Sequence, residues 1–309
     1  DLMDYEFLSE IKVSNDENKI AYKKTQANLK ENKYDSDLYI YDQELEKSYR
    51  ITDKKNASIY TFDGENNLIY KYDSDDTNDY FYKNDGNGLG NLAFKLDMDV
   101  KSIKWLKDNT YLISASPKKT EEEKKTDKEN SFYKEVTTLP FWANGVGYLR
   151  EETIYFYLYN LKDNKLTEIL KSDKDNEVHG LDINKDLDKI AYLKGHSDSN
   201  DVMEFLESII LKDLKTGEEK ILVDKGYSTY TLNFIKDRLI FVGTDMKKGG
   251  INEDAFIYEV DFDGNVKMVN NSDFDKSFAN SIGTDARWEG NRSFQVHGNR
   301  LYFIVTEFE

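Results

Sequence analysis

Residues 73–79 contain the densest cluster of aspartate side chains in the sequence. The oxygen-rich pattern of Asp73, Asp75 and Asp79 suits a calcium ion. Asn78, however, stands where an EF-hand-like loop would have glycine, which argues against that motif. The three aspartates are therefore candidate calcium ligands, and the sequence predicts no other metal and no cofactor.

Nucleophilic catalysis lacks its usual residues. The chain has no cysteine and no G-x-S-x-G sequence, since Gly226-Tyr227-Ser228 is not followed by the second glycine. None of the three histidines, His179, His196 and His297, has metal-ligand spacing to another, which favours structural or surface roles. We therefore predict no catalytic residue in this chain.

Composition limits the partners of the protein. The 309 residues carry a formal net charge of −17, and no basic face is visible, so nucleic acid is not an expected ligand. No apolar run reaches the roughly 18 residues of a membrane span. A cysteine-free chain suggests a cytoplasmic location. Because the sequence begins at Asp1, a removed leader would not be seen.

The most unusual segment is 139–160. Phe141 and Trp142 precede Asn144 and Gly145, so bulky rings stand on a backbone that can adopt positive φ, and a β-branched and aromatic strand follows. One interpretation is a packed corner between strands. The other is a loop that presents its rings to a ligand or to another domain.

The rest of the chain repeats a hairpin pattern. Alternating apolar and polar residues flank Asn, Asp or Gly turns in six segments. These first hairpins are 11–22, 59–70, 103–113, 181–192, 232–241 and 286–303, the last with an enlarged turn. A second hairpin follows most copies, for example at 153–165 and 256–264. Two hairpins per unit make a four-stranded blade, and most intervals are near the roughly 40 to 45 residues of a propeller blade.

We therefore predict an all-β chain of four-stranded antiparallel blades with little helix. The predicted blades are 6–54, 55–100, 101–176, 177–226, 227–273 and a partial 274–309. Between strands, the charged tract 116–130 is predicted to be a solvated excursion, and 196–207 is predicted to hold a short helix.

A family resemblance rests on the segment Pro140-Phe141-Trp142-Ala143-Asn144-Gly145-Val146-Gly147. It resembles the P-x-W-x-N-G-x-G stretch in the N-terminal β-propeller of acylaminoacyl-peptidase-like serine peptidases, in the prolyl oligopeptidase family. That propeller has seven blades, so the resemblance implies a single propeller domain over 1–309 with about five blades and part of a sixth, truncated at its C-terminal end.

The resemblance also implies a function. In this family a C-terminal α/β-hydrolase domain, absent from these 309 residues, carries the catalytic triad. The propeller caps the active site and restricts access to short or N-acylated peptides. Phe141, Trp142, Asn144 and Gly145 would then face the hydrolase domain or the substrate. The alternative is a free-standing TolB-like propeller that docks proteins through its loops.

Overall fold

Strands make up nearly all the regular structure of the protein. The computed structural model describes residues 2–52, 56–72, 79–86, 89–130, 132–133, 136, 139–143, 147–148, 152–270, 276–278, 280–283, 288–291 and 294–306. Within these ranges the helices are one α-helix and two three-residue 3-10 helices, Leu2–Asp4 and Gly250–Asn252. The prediction of an all-β chain with little helix is confirmed.

Contacts between Cα atoms divide the chain into two compact units. Unit one comprises residues 1–115, 156–168 and 276–309, and unit two comprises residues 116–155 and 169–275.

Three four-stranded antiparallel sheets follow one another from the start of the chain. The first contains β1 (Glu6–Val13), β2 (Lys19–Asn28), β3 (Lys33–Asp42) and β4 (Lys47–Arg50) in that order. The second contains β5 (Ala57–Phe62), β6 (Leu68–Tyr72), β7 (Asp79–Asn84) and β8 (Asn91–Leu96). The third contains β9 (Asp99–Lys107), β10 (Thr110–Ser116), β13 (Ile154–Asn160) and β14 (Lys165–Ser172).

Between β10 and β13 lie α1 (Glu121–Glu129), β11 (Trp142–Ala143) and β12 (Gly147–Tyr148). From residue 117 onward the charged tract is solvated, as predicted, but its central part is the helix α1, and Ser116 is buried at the end of β10. Thr120 Oγ1 accepts from the Glu123 N–H, and the Glu123 carboxylate accepts from the Thr120 N–H, so a capping box starts α1. No residue of α1 is buried.

Unit two contains a seven-stranded sheet. Its order is β15 (Val178–Ile183), β16 (Lys189–Lys194), β17 (Glu207–Asp213), β18 (Glu219–Ile235), β19 (Arg238–Thr244), β20 (Phe256–Val260) and β21 (Val266–Met268). The 17 residues of β18 pair with β17 as far as Tyr227 and with β19 from Ser228 onward. The predicted blade boundary between residues 226 and 227 thus falls inside one strand.

The last predicted hairpin differs from expectation. Instead of one hairpin over 286–303 with an enlarged turn, β22 (Asn280–Gly283) pairs with β23 (Trp288–Asn291), and β24 (Phe294–His297) pairs with β25 (Arg300–Phe303). Gly298 lies in the turn between β24 and β25, where its φ of 57° suits glycine. The blade boundaries and the blade count remain predictions.

Apolar side chains between successive sheets form the core of unit one. One cluster joins the first and second sheets through residues such as Leu38, Ile40 and Tyr70. Another joins the second and third sheets through Phe81, Phe94 and other buried residues. Faces of separate sheets are therefore buried against each other, as stacked blades require.

Polar side chains accept hydrogen bonds from backbone N–H groups of strands β1, β9 and β18. The Val13 N–H donates to Gln295 Oε1 (2.8 Å), and the Trp105 N–H donates to Thr61 Oγ1 (3.2 Å). In unit two the Phe234 N–H donates to Asp182 Oδ2 (2.8 Å). These bonds satisfy backbone groups that an edge strand would otherwise leave unpaired.

Candidate interaction surface

The aromatic loop singled out from the sequence is a short strand pair. Trp142 in β11 pairs with Tyr148 in β12, and Ala143 pairs with Gly147. The side chains of Phe141 and Trp142 are 43% and 51% exposed, so neither ring has the burial that a packed corner would give it. Asn144 and Gly145, also predicted site residues, lie outside the described residues.

A second loop, whose sequence did not predict contact with the first, lies beside it. Leu139 forms a parallel bridge with Val202. The Met203 N–H donates to the Leu139 carbonyl (3.1 Å), and the Leu139 N–H donates to the Asp201 carbonyl (3.4 Å). The backbone on which Phe141 and Trp142 stand is therefore held to the 198–206 turn.

Both loops contribute exposed apolar side chains. Leu139 is 50% exposed, Val202 37% and Phe205 56%. With the two rings they form what we call the aromatic surface, defined by Leu139, Phe141, Trp142, Val202 and Phe205. When exposed apolar side chains are clustered on neighbouring loops, they mark an interaction site more often than scattered ones do.

The 196–207 segment is not the short helix predicted from its apolar spacing. Ser197 and Met203 form an antiparallel bridge, and Asp198 Oδ1 accepts from the N–H groups of Asn200 (2.7 Å) and Val202 (3.0 Å). Those two backbone bonds lower the pKa of Asp198, so its carboxylate stays charged and keeps the turn closed.

A buried hydroxyl anchors the base of this turn. Ser208, only 1% exposed, donates to Asp224 Oδ1 (3.0 Å) and accepts from the Lys225 N–H (3.0 Å). His196 Nε2 lies 2.8 Å from Ser208 Oγ. Because the only hydroxyl proton is directed to the carboxylate, His196 must donate its own proton to Ser208 Oγ.

This arrangement is not a catalytic triad. A triad places histidine between the acid and the serine, so that histidine removes the serine proton. Here Ser208 lies between His196 and Asp224, and it is inaccessible to a substrate. Burial, followed by the nearby Lys225, lowers the pKa of His196, which is consistent with a neutral donor. The three residues therefore have a structural role.

An ionic cluster of one histidine and two glutamates includes Glu207, the first residue of β17. His179 Nδ1 is 2.5 Å from Glu207 Oε1, and His179 Nε2 is 3.1 Å from Glu177 Oε1. The hydrogen bond to Glu207 raises the pKa of His179 to about 9, although burial opposes the rise. The imidazolium thus bridges two carboxylates and fixes Glu207 next to the turn that carries Phe205.

Gly195 makes room for this bridge. A Cβ built at residue 195 would lie 2.7 Å from His179 Cε1 and 3.0 Å from Glu177 Oε2. Any side chain there would displace the imidazole from its two carboxylates. Glycine is therefore required at residue 195, because the His179 ring lies so close to the backbone there.

The candidate calcium ligands have a different environment. Asp73 and Asp75 lie outside the described residues, whereas Asp79 is 6% exposed. Asp79 Oδ2 accepts from Lys71 Nζ (3.0 Å) and from the Val100 N–H (2.7 Å). Nowhere in the described ranges do three or more His, Asp and Glu side chains come together in a group that could hold a metal ion.

Val202 and Phe205 were not predicted from the sequence to belong to the aromatic surface. Their spacing with Met203 and Leu206 suggested one face of a helix, which would have buried them. The contrary signal was Asp198 followed by Ser199 and Asn200, a typical turn sequence. The pairing of Leu139 with Val202, 63 residues apart, has no local signal at all.

The described helices include none that is long and apolar enough to cross a membrane. No protein-family model matches the sequence. No curated protein matches it either.

Solved structures do match the fold. The acylaminoacyl peptidase of Pyrococcus horikoshii (orthorhombic crystal form) aligns at TM-score 0.66 and 18% identity over 98% of this chain and 43% of that chain. The β-propeller domain of the Trilobed protease from Pyrococcus furiosus aligns at 0.59 and 14% identity over 98% and 78%. TolB from Acinetobacter baumannii aligns at 0.50 and 14% identity over 86% and 54%.

The chain spans less than half the length of the acylaminoacyl peptidase that it matches. Identities of 14% to 18% establish fold and leave activity open. The resemblance to the propeller of acylaminoacyl-peptidase-like serine peptidases is confirmed at the level of structure, and the chain has the β-propeller fold.

Proposed function

We propose that this chain is the non-catalytic propeller of a serine peptidase of the prolyl oligopeptidase family. In this role it packs against an α/β-hydrolase domain, caps the active site and restricts access to short peptides. The observation that carries the proposal is the structural match to acylaminoacyl peptidase, which extends over 98% of this chain.

The aromatic surface supports a domain-facing role for this loop. Phe141 and Trp142 belong to the segment that resembles the peptidase motif, and they are about half exposed. Two aromatic rings on a strand pair that is held by Leu139 lose little conformational entropy on binding. Phe141, Trp142, Asn144 and Gly145 are therefore assigned to contact with the hydrolase domain or its peptide.

The described residues are compatible with a non-catalytic role for this chain. The serine with both a histidine and an aspartate as neighbours, Ser208, is buried and wrongly ordered for attack. Hydrolysis is therefore assigned to another part of the gene product.

The test compares this chain with the full product of its gene. Both are incubated with an acetyl-alanine chromogenic ester and with a fluorophosphonate probe for active-site serines. The full product is expected to turn over substrate and to take up the probe, with a G-x-S-x-G serine as the labelled residue, and this chain is expected to do neither. An unlabelled, inactive full product would contradict the proposal, and so would turnover by this chain that survives repurification and is blocked by the probe.

A second candidate function is a TolB-like propeller that binds proteins on its own. The match to TolB over 86% of this chain favours it. This candidate predicts a full gene product without a hydrolase serine in which Trp142→Ala weakens the capture of another protein. The fluorophosphonate experiment therefore separates the two.

A further inference from the structure

The two loops that form the aromatic surface carry charges of one sign only. Residues 139–148 include no charged side chain, and residues 196–206 include Asp198, Asp201 and Glu204 but no lysine or arginine. His196 adds no positive charge near pH 7, because burial lowers its pKa from the ordinary value of 6.5. These loops would therefore repel an anionic ligand and attract a cationic one.

The three acidic residues differ in what they already bind. Asp198 Oδ1 accepts from two backbone N–H groups of its own turn, and Glu204 Oε2 lies 2.6 Å from Lys225 Nζ. Asp201 is exposed, and no cationic side chain of the described ranges lies at ion-pair distance from its carboxylate. Asp201 therefore has the carboxylate of this surface that can pair with a new cation.

Asp201 lies where the two loops join. Its carbonyl accepts from the Leu139 N–H (3.4 Å), and the next residue, Val202, forms the bridge with Leu139. Trp142 follows Leu139 by three residues. The carboxylate and the exposed rings are thus carried by backbone segments that are bonded to each other, so a ligand of a few residues can contact both.

The area of the aromatic surface indicates the size of its ligand. Phe141, Trp142 and Phe205 are each about half exposed. An aromatic side chain offers roughly 150 to 250 Å² in all, so the three rings leave roughly 300 Å² in solvent. A stable interface between folded proteins takes about 800 Å² from each partner. A second copy of this chain would also bring a net charge of −17, so a short peptide is the better fit.

We infer that the aromatic surface binds a short peptide through an arginine side chain that has an apolar neighbour. A guanidinium group can stack on an exposed ring and pair with the Asp201 carboxylate, because it is planar and weakly hydrated. The apolar neighbour would cover Val202 and Phe205. That the peptide is a substrate of the hydrolase domain rests on the proposed function, whereas the preference for a cation rests only on the two loops.

The experiment uses this chain labelled with 5-fluorotryptophan and followed by ¹⁹F NMR. The chain has three tryptophans, so Trp142→Phe identifies the Trp142 signal. The probes are N-acetyl-Phe-Arg-Leu-amide and the same peptide with citrulline, a neutral isostere, in place of arginine. Asp201→Asn removes the charge, and asparagine also tolerates the φ of 58° found at this residue. Asp186→Asn is the matched control, because Asp186 is an exposed turn aspartate at the other end of β16.

The arginine peptide is expected to shift the Trp142 signal and to bind about tenfold more tightly than the citrulline peptide. In Asp201→Asn this ratio should fall to about threefold, and in Asp186→Asn it should stay the same. Phe205→Ala should weaken both peptides alike. Because the ratio compares two peptides on one protein, a variant that is partly unfolded does not change it.

Equal affinity for the two peptides, or an unchanged ratio in Asp201→Asn, would overturn the inference. Binding that leaves the Trp142 signal in place would also overturn it. The full gene product, treated with the fluorophosphonate probe, is titrated in parallel. If it fails to bind the arginine peptide while this chain binds it, the hydrolase domain and not a peptide occupies the surface.

Two outcomes separate this inference from the proposed function. A full gene product with peptidase activity but no preference for the arginine peptide at this surface would reject the inference alone. Arginine-dependent binding in a full product that has no hydrolase serine would instead reject the proposed function.

Discussion

The side-chain amide of Gln295 pairs with the backbone of Val13 as a strand would. Its Oε1 accepts from the Val13 N–H (2.8 Å), and its Nε2 donates to the Val13 carbonyl (2.9 Å). Nearby, Glu17 lies 3.4 Å from His297 and 3.6 Å from Arg300. One side chain and a small ionic group thus join residues 282 positions apart within unit one.

Gln295→Ala is expected to destabilise the protein by about 1 to 3 kcal/mol, because it leaves two backbone groups of β1 without partners. Gln295→Glu should not restore stability, since a carboxylate would face the Val13 carbonyl. The Val13 amide should exchange with deuterium faster in both variants. Gln26→Ala, an exposed glutamine of β2, is the control, and equal stability of Gln295→Ala and Gln26→Ala would contradict the role of the amide.

Trp142→Ala is expected to leave the melting temperature of this chain nearly unchanged, because half of the side chain is already in solvent. In the full gene product it should lower kcat/KM or weaken domain docking. Phe241→Ala provides the contrast, since Phe241 is 0% exposed and its truncation should cost about 3 to 5 kcal/mol. A large stability loss with Trp142→Ala and normal catalysis per folded molecule would show that the ring is structural.

The bridge of His179 predicts stability that depends on pH. Its pKa is about 9 in the folded protein against 6.5 as reference, so its contribution is fully present below pH 6.5 and is lost as the pH rises through 9. The upper limit is about 3 kcal/mol, and partial exposure of the side chain reduces it. Urea unfolding at several pH values measures this loss. In His179→Asn the decline over that window should be smaller, and an identical pH profile would refute the assignment.

Breaking the pair of Lys71 and Asp79 should be costly. Both side chains are less than 10% exposed, so Asp79→Asn leaves a buried ammonium without a counter-charge and should destabilise the protein by about 3 to 5 kcal/mol. Replacing both residues, as Lys71→Met with Asp79→Leu, should recover much of the loss. Chemical denaturation of the three proteins tests this. If the single and double variants were equally unstable, packing and not charge would explain the effect.

Turn chemistry is what made the fold predictable from sequence. At Asp63 the carboxylate accepts from the N–H groups of Glu65 and Asn67, both at 2.9 Å, and this bonding closes the turn between β5 and β6. Such bonds form within a few residues, so Asp, Asn and Gly between alternating strands reveal them. The sequence signal for the start of α1 was equally local, because Thr120 and Glu123 have capping-box spacing. The helix was not predicted, because the tract has no apolar residues from which a helical period could be read.

The candidate surface was only half predictable. Phe141 and Trp142 stand out by type, whereas Phe205 joins them only because the turn beginning at Asp198 reaches Leu139. The contact of Val13 with Gln295 likewise depends on where distant strands are placed. Such long-range contacts leave no periodicity in the sequence, and only the packed structure reveals them.

The continuity of β18 makes its midpoint intolerant of length changes. Tyr227 pairs with Glu207 of β17, and the next residue, Ser228, pairs with Thr244 of β19. No unpaired linker separates the two partners, so one inserted residue would push one half of the strand out of register and turn its side chains to the opposite face. Proteases would also find no open connection between Tyr227 and Ser228.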